Sequence, residues 1–152
     1  MTFLSTPVQV MSEVTATLGM SFKAVDLYEA NLDADSVEGL DFPLCLYILP
    51  QTQRNTQSSP NSIERTVSCM LFILYRIGQD TADKEKASLA DTVQMANHMA
   101  DRLVSHLSKH SVSINEGVKD WRVDEVYAEF DANLHGVKVE FDWKILDGKP
   151  CY

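Results

Sequence analysis

Two nearly continuous apolar runs in the first half of the chain predict buried strands. They cover residues 42–49 and 66–77, and Pro50 and Gly78 end them. Apolar runs without alternation are typical of strands that are covered on both faces. A shorter segment, residues 22–28, predicts a further strand before them.

Apolar residues spaced by three and four predict two helices. The shorter one begins at Thr6, which can cap it, has Pro7 at its first helical position and ends at Gly19. The longer one begins near Asp80 and carries a single apolar stripe over several turns. The stripe consists of Leu89, Val93, Ala96, Ala100, Leu103 and Leu107.

Strict alternation in the last third predicts a β-hairpin with one buried and one charged face. Residues 125–132 form its first strand and residues 137–145 its second. The reversal is expected at residues 133–136, Asn-Leu-His-Gly, because Asn and Gly adopt the backbone conformations of tight turns. Phe130, Phe141 and Trp143 are expected to be mostly buried, and the carboxylates between them to face water with Lys138 and Lys144 neutralising some of them.

The segment at residues 51–62 is almost entirely Gln, Asn, Ser and Thr, and Arg54 is its only charge. It also contains Pro60, is longer than a usual hairpin turn and cannot bury apolar area by itself. Two interpretations stay open: a surface loop, or an arm that becomes ordered against a neighbouring subunit.

Residues 29–41 carry five acidic side chains and no Lys or Arg, which predicts a solvated loop. Calcium is not expected there, since the glycine and glutamate of an EF-hand loop counted from Asn31 are replaced by Ser36 and Phe42. If the amide-rich segment is an arm, Arg54 could meet this acidic loop on a neighbour. The candidate subunit interface therefore consists of Thr52, Gln53, Arg54, Asn55, Glu29, Asp33 and Asp35.

These elements together predict one α+β domain spanning residues 1–152. Its order is α-β-β-β-α-β-β, with a mostly antiparallel sheet and the long helix packed on one face. The apolar share of 45% is ordinary for a globular chain. The longest apolar run is too short to cross a bilayer, so we expect a soluble protein that does not contact membranes.

The charge balance argues against a protein that grips nucleic acid. The formal net charge is −9, and the 13 Lys and Arg residues are scattered along the chain. Binding to phosphates requires a clustered basic surface. Cys45, Cys69 and Cys151 have no short spacing, and the absence of a secretory signal makes a structural disulfide unexpected.

We find no pattern of residues that predicts catalysis or metal binding. His106 and His110 share a helix face, but they lack the intervening Glu of a zinc protease motif and a nearby third ligand. Ser68 and Cys69 lie within a strand and not on a nucleophile elbow. We therefore expect a protein that is not an enzyme and uses no cofactor and no metal.

Several stretches in order along the chain resemble the tail-terminator and tail-completion (head–tail neck) proteins of tailed bacteriophages. They are the strand with its flanks at residues 41–50, the polar loop after it, the strand at residues 65–75, the helix at residues 95–103 and the reversal at residues 130–141. The run Asp-Ala-Asn-Leu-His-Gly-Val at residues 131–137 is its most suggestive part.

The resemblance implies a structural virion protein without enzyme activity. Members of this family assemble as rings, six-fold or twelve-fold, around the channel through which DNA leaves. The implied partners are other copies of the chain and other neck, portal-adaptor or tail-tube proteins, with DNA only as passing cargo. The implied location is the virion, after synthesis in the bacterial cytoplasm. A monomeric, non-enzymatic protein-binding module or accessory protein on a similar α+β scaffold is the alternative.

Overall fold

Two helices and one six-stranded sheet make up the part of the chain that the structure describes. This structure is a computed structural model, and it describes residues 6–26, 43–49, 52–59, 62–76, 82–129 and 134–148. The elements in order are α1 (Thr6–Thr17), β1 (Ser21–Asp26), β2 (Leu44–Leu49), β3 (Thr52–Ser59), β4 (Ser62–Arg76), α2 (Ala82–Lys109), β5 (Ser113–Glu129) and β6 (Leu134–Gly148). The α+β class is confirmed, but the predicted order is wrong, since four strands and not three separate the helices.

Strand β4 is the centre of the sheet, whose order is β1-β2-β4-β6-β5 with β3 also paired to β4. One edge of β4 pairs with β6 from Ser62 to Arg76. The other edge pairs first with β3 and then with β2. Among the described strands only β1 and β2 are parallel, so the prediction of a mostly antiparallel sheet is confirmed.

The amide-rich segment is a strand and not a loop. Thr52 pairs with Ser68 and Gln57 with Ile63, so β3 and the first half of β4 form a hairpin. Sequence periodicity missed β3 because an edge strand needs only backbone partners, which β4 supplies, and has no apolar face of its own to bury.

Both helices pack on one face of the sheet, which we call the helix face. Odd-numbered residues of β4 and β6 point to it, and these include Phe141 and Trp143, which are 5% and 0% exposed. The predicted α2 stripe is confirmed for the residues whose side chains are described, while the side chain of Leu89 lies outside them. The buried helix residues of this core are Val10, Met11, Val14, Leu18, Val93, Ala96, Ala100, Leu103, Val104 and Leu107.

The opposite face of the sheet, which we call the groove face, carries the even-numbered residues of β2, β4 and β6. Its β1, β2 and β4 side is apolar and includes the buried side chains of Val25, Leu44, Leu46 and Leu74. Its β6 and β5 side is charged. The near-continuous apolarity of β2 is thus explained by burial on both faces, as the sequence predicted.

The alternation predicted for the last strand is confirmed. In β6, Val137, Val139 and Ile145 are buried, whereas the charged residues between the apolar ones are half-buried or exposed. Strand β5 begins at Ser113, earlier than predicted. Its first part was not predicted because register shifts between Ser113 and Trp121 break the period-two pattern by which a strand is recognised. The predicted burial of Phe130 lies outside the described residues.

Gly136 lies within β6 and is not part of a turn, so the predicted reversal at residues 133–136 is wrong for its last three positions. A Cβ atom at Gly136 would lie 1.9 Å from the carbonyl oxygen of Ile73 on β4. Glycine is required here because the two strands approach each other too closely for any side chain.

The end of α2 is fastened to the sheet through Ser113. Its hydroxyl donates to the carbonyl of Leu107 and accepts a hydrogen bond from the indole Nε1 of Trp143 at 2.8 Å. Gly117 packs beside this point with a positive φ of 65°, and a Cβ there would lie 2.9 Å from the Cα of Ser108. These contacts join the end of α2 to β5 and β6.

Neither of the described helices has the length and apolarity needed to cross a membrane.

Candidate docking site

A groove of about 600 Å³ lies on the groove face, where β2 ends and β3 begins. Pairing of β2 with β4 stops at Tyr47 and Leu71, and pairing of β3 starts at Thr52 and Ser68. Among the described residues, no strand pairs with this edge of β4 at Cys69 and Met70, and the groove lies beside Met70. The groove is lined by Ile48, Leu49, Ser68, Cys69, Met70, Asp120, Trp121, Arg122, Glu140, Phe141 and Asp142.

The two sides of the groove differ in chemistry. Ile48, Leu49 and Met70 form an apolar side that comes from β2 and β4. Across the sheet, β6 and β5 contribute three carboxylates and one guanidinium. The register explains this contrast, because Met70 pairs with Glu140 and Ser68 with Asp142, so apolar and acidic positions meet on neighbouring strands.

Two of the carboxylates form no ion pair among the described residues. Arg122 is bound to Asp124 at 3.1 Å, and Lys138 lies 3.5 Å from Glu140. Within the part of the chain that the structure describes, neither Asp120 nor Asp142 forms an ion pair. Asp142 accepts a hydrogen bond from the hydroxyl of Ser68 at 2.8 Å, which fixes this carboxylate in an exposed position. The groove therefore presents unpaired negative charge next to an apolar wall.

Cys69 lies at the base of the groove but is not activated as a nucleophile. Burial raises the pKa of its thiol to about 12, the hydrogen bond from the Tyr47 hydroxyl at 3.4 Å opposes that rise, and the charge of Asp142 adds to it. Burial also raises the pKa of the Cys45 thiol to about 12. A reactive cysteine requires the reverse, a thiol that loses its proton near neutral pH.

Strand β3 is the second part of the candidate site. It pairs only with β4, so its other backbone edge is open among the described strands. The side chains from Gln53 to Gln57 are all exposed. Asn55 accepts a hydrogen bond from Arg65 at 3.0 Å, which ties the middle of β3 to β4 on the helix face. Open strand edges are templates for pairing with another chain.

The predicted interface residues are only partly brought together. Thr52, Gln53, Arg54 and Asn55 all lie in β3, and Arg54 is exposed. Glu29, Asp33 and Asp35 lie outside the described residues, and with them the predicted contact of Arg54 with that acidic loop. Register places Arg54 opposite Thr66, on the same face of the sheet as the groove.

The two histidines on α2 take part in local hydrogen bonds at the helix end. Nδ1 of His106 lies 2.8 Å from the carbonyl oxygen of Arg102, and Nδ1 of His110 accepts from the N–H of Val112 at 3.2 Å. Among the described residues, no three His, Cys, Asp or Glu side chains are grouped so as to hold a metal ion.

Sequence reasoning missed the groove, although it identified several of its residues. Glu140 and Asp142 were predicted to belong to the wet face of a hairpin, and that is where they lie. The pairing of β6 with β4, which joins residues far apart in the chain, brings Met70 and Ile48 beside these carboxylates. No local pattern carries that information.

In comparisons with known proteins, no protein-family model matches this chain, and no curated protein is significantly similar to it.

Proposed function

We propose that this chain is a structural, non-enzymatic virion subunit of a tailed bacteriophage. It forms a ring at the tail terminus or the head–tail neck, around the DNA channel. The observation that supports this most is β3, an exposed edge strand rich in amides and with a single charge. Such a strand offers a neighbouring copy hydrogen-bond donors and acceptors along its whole length.

The charge of the chain suits this role. A channel wall past which DNA slides should not bind phosphates, and the net charge of −9 opposes such binding. The partners in this proposal are other copies of the chain and neighbouring neck, portal-adaptor or tail-tube proteins. The virion location follows from the same proposal.

The test is assembly measured with one substitution in β3. Purified protein is examined over a wide concentration range by size-exclusion chromatography with light scattering, and large species are imaged by electron microscopy. The proposal predicts rings. Gln53→Lys should weaken them, because a lysine on an exposed edge strand opposes pairing.

Gln94→Lys is the matched control, since Gln94 is an equally exposed amide on α2. This variant should assemble like the wild type. Replacing all of β3 with a flexible linker would be a poorer test. It would also remove the strand pairing of β3 with β4 at Val67, which is fully buried, and could thereby destabilise the subunit itself.

A monomeric protein-binding or accessory module is the second candidate, and the groove of about 600 Å³ is the observation that favours it. A groove of this size with one apolar side and a few polar groups is typical of a site for a partner segment or small ligand. A wild-type protein that remains monomeric at every concentration would favour this function over the ring.

A further inference from the structure

We infer that the groove receives strand β3 of a second copy of this chain, with Arg54 bound by Asp120 and Asp142. This inference rests on the proposed ring function and names the two surfaces that meet. Three features of the described residues point to this contact: an unpaired cation, two unpaired carboxylates and an open strand edge.

Arg54 is the only charged residue in β3. Its side chain is exposed, and it forms no ion pair within the part of the chain that the structure describes. In its own subunit, β4 lies between Arg54 on β3 and the carboxylates of β6. The backbones of β3 and β6 are therefore about 10 Å apart. Lys144, rather than a carboxylate, lies in the same row of β6, and Glu64, which register places on this face of β4 opposite Thr56, forms no ion pair with Arg54. A second copy can therefore supply the missing anion.

The groove supplies the complementary charge. Asp120 and Asp142 line it and are exposed, and their own subunit provides no paired cation among the described residues. The hydrogen bond from Ser68 orients Asp142 without neutralising it. A guanidinium can bind two carboxylates through its several N–H donors.

The rest of β3 also fits a partner that lies across this groove. Apart from Arg54, the residues of β3 are uncharged. They therefore bring no second charge next to Glu140 or the apolar wall of the groove. Thr56 belongs to the same face of β3 as Arg54, by the register with β4, and its side chain is exposed. Its methyl group suits the apolar wall formed by Ile48 and Met70.

The two surfaces are different parts of the chain, so the contact is heterologous. A copy that gives its β3 to one neighbour leaves its own groove free for another. Repetition of such a contact produces a closed ring when the rotation between copies closes. A heterologous contact of this kind permits a ring, whereas a two-fold symmetric contact would stop at a dimer.

Charge reversal and its rescue test this inference. Arg54→Glu should reduce the association constant between copies at least about tenfold, and so should the double change Asp120→Lys and Asp142→Lys, since like charges then face each other. The triple variant that carries all three changes restores opposite charges and should associate like the wild type. Arg102→Glu on α2 is the matched control, an exposed arginine outside both surfaces, and should have no effect.

A disulfide trap provides a readout of proximity. In a Cys151→Ser background, a chain with Arg54→Cys and Asp142→Cys should form covalent multimers on mild oxidation. Neither single cysteine variant should form them, because each lacks one of the two thiols that meet at the contact between copies. Monomers with an internal disulfide would mean that Arg54 approaches its own groove, and would overturn the inference.

Failure of this inference is distinguishable from failure of the ring proposal. Rings that persist unchanged in Arg54→Glu, with no covalent multimers in the cysteine pair, would overturn the contact named here while leaving a ring subunit. A wild type that stays monomeric, again with no multimers in the cysteine pair, would overturn both.

Discussion

We expect the hydrogen bond between Ser113 and Trp143 to contribute measurably to the stability of the fold. Trp143 is 0% exposed, and its indole N–H donates to the Ser113 hydroxyl at 2.8 Å. In Ser113→Ala this buried donor loses its partner, which costs about 1–3 kcal/mol. The Leu107 carbonyl also loses a bond, but it still accepts from the N–H of His110 at 3.2 Å and adds less.

We therefore expect Ser113→Ala to lower the free energy of unfolding by about 2 kcal/mol. Urea denaturation followed by circular dichroism measures this, at a concentration where the protein is monomeric. For a chain of this size the melting temperature should fall by about 4–8 °C. Ser111→Ala is the matched control, since Ser111 is exposed nearby and its loss should change stability by less than about 0.5 kcal/mol.

A double-mutant cycle separates this bond from general damage to the site. Trp143→Phe removes the indole N–H while keeping an aromatic ring, so Ser113→Ala should cost much less in that background. The coupling energy should be about 1 kcal/mol or more. Additive effects of the two changes, or a loss below about 0.5 kcal/mol for Ser113→Ala alone, would refute the reasoning.

Three further predictions concern the core. Phe141→Ala should destabilise by about 3–5 kcal/mol in urea denaturation, as for other buried aromatics. Gly136→Ala should prevent formation of a stable, soluble domain, because its Cβ would lie 1.9 Å from a carbonyl oxygen of β4; Gly19→Ala, which meets nothing within 4 Å, should cost only the left-handed backbone strain of about 1–2 kcal/mol. Stability should fall above about pH 9 as the unfolded chain loses protons that the buried Cys45 and Cys69 thiols keep up to about pH 12.

Each of these has a result that contradicts it. A loss below about 1 kcal/mol for Phe141→Ala would mean that the strand faces are reversed. Equal stability of the Gly136→Ala and Gly19→Ala variants would show that β4 and β6 do not approach as described. For the thiols, the slope is about 1.4 kcal/mol per pH unit for each group in that window. Cys45→Ala should reduce the slope, and an unchanged slope would remove that thiol as a cause.

The sequence alone determined the elements in which periodicity and burial coincide. The stripe on α2 and the alternation in β6 were predicted because each places apolar side chains on one face at the spacing of its backbone. The continuous apolar runs of β2 and β4 likewise indicated burial on both faces. These features are local, since each depends on residues that are close in the chain.

Tertiary structure decided the features that depend on pairing between distant residues. Strand β3 has no apolar pattern and is a strand only because β4 offers it an edge. Gly136 has the composition of a turn residue, but the approach of Ile73 on β4 gives it another role. The groove exists because the register brings Ser68 beside Asp142, which lies 74 residues further along the chain. Local sequence specifies which face a side chain takes, whereas the register of distant strands specifies which side chains it meets.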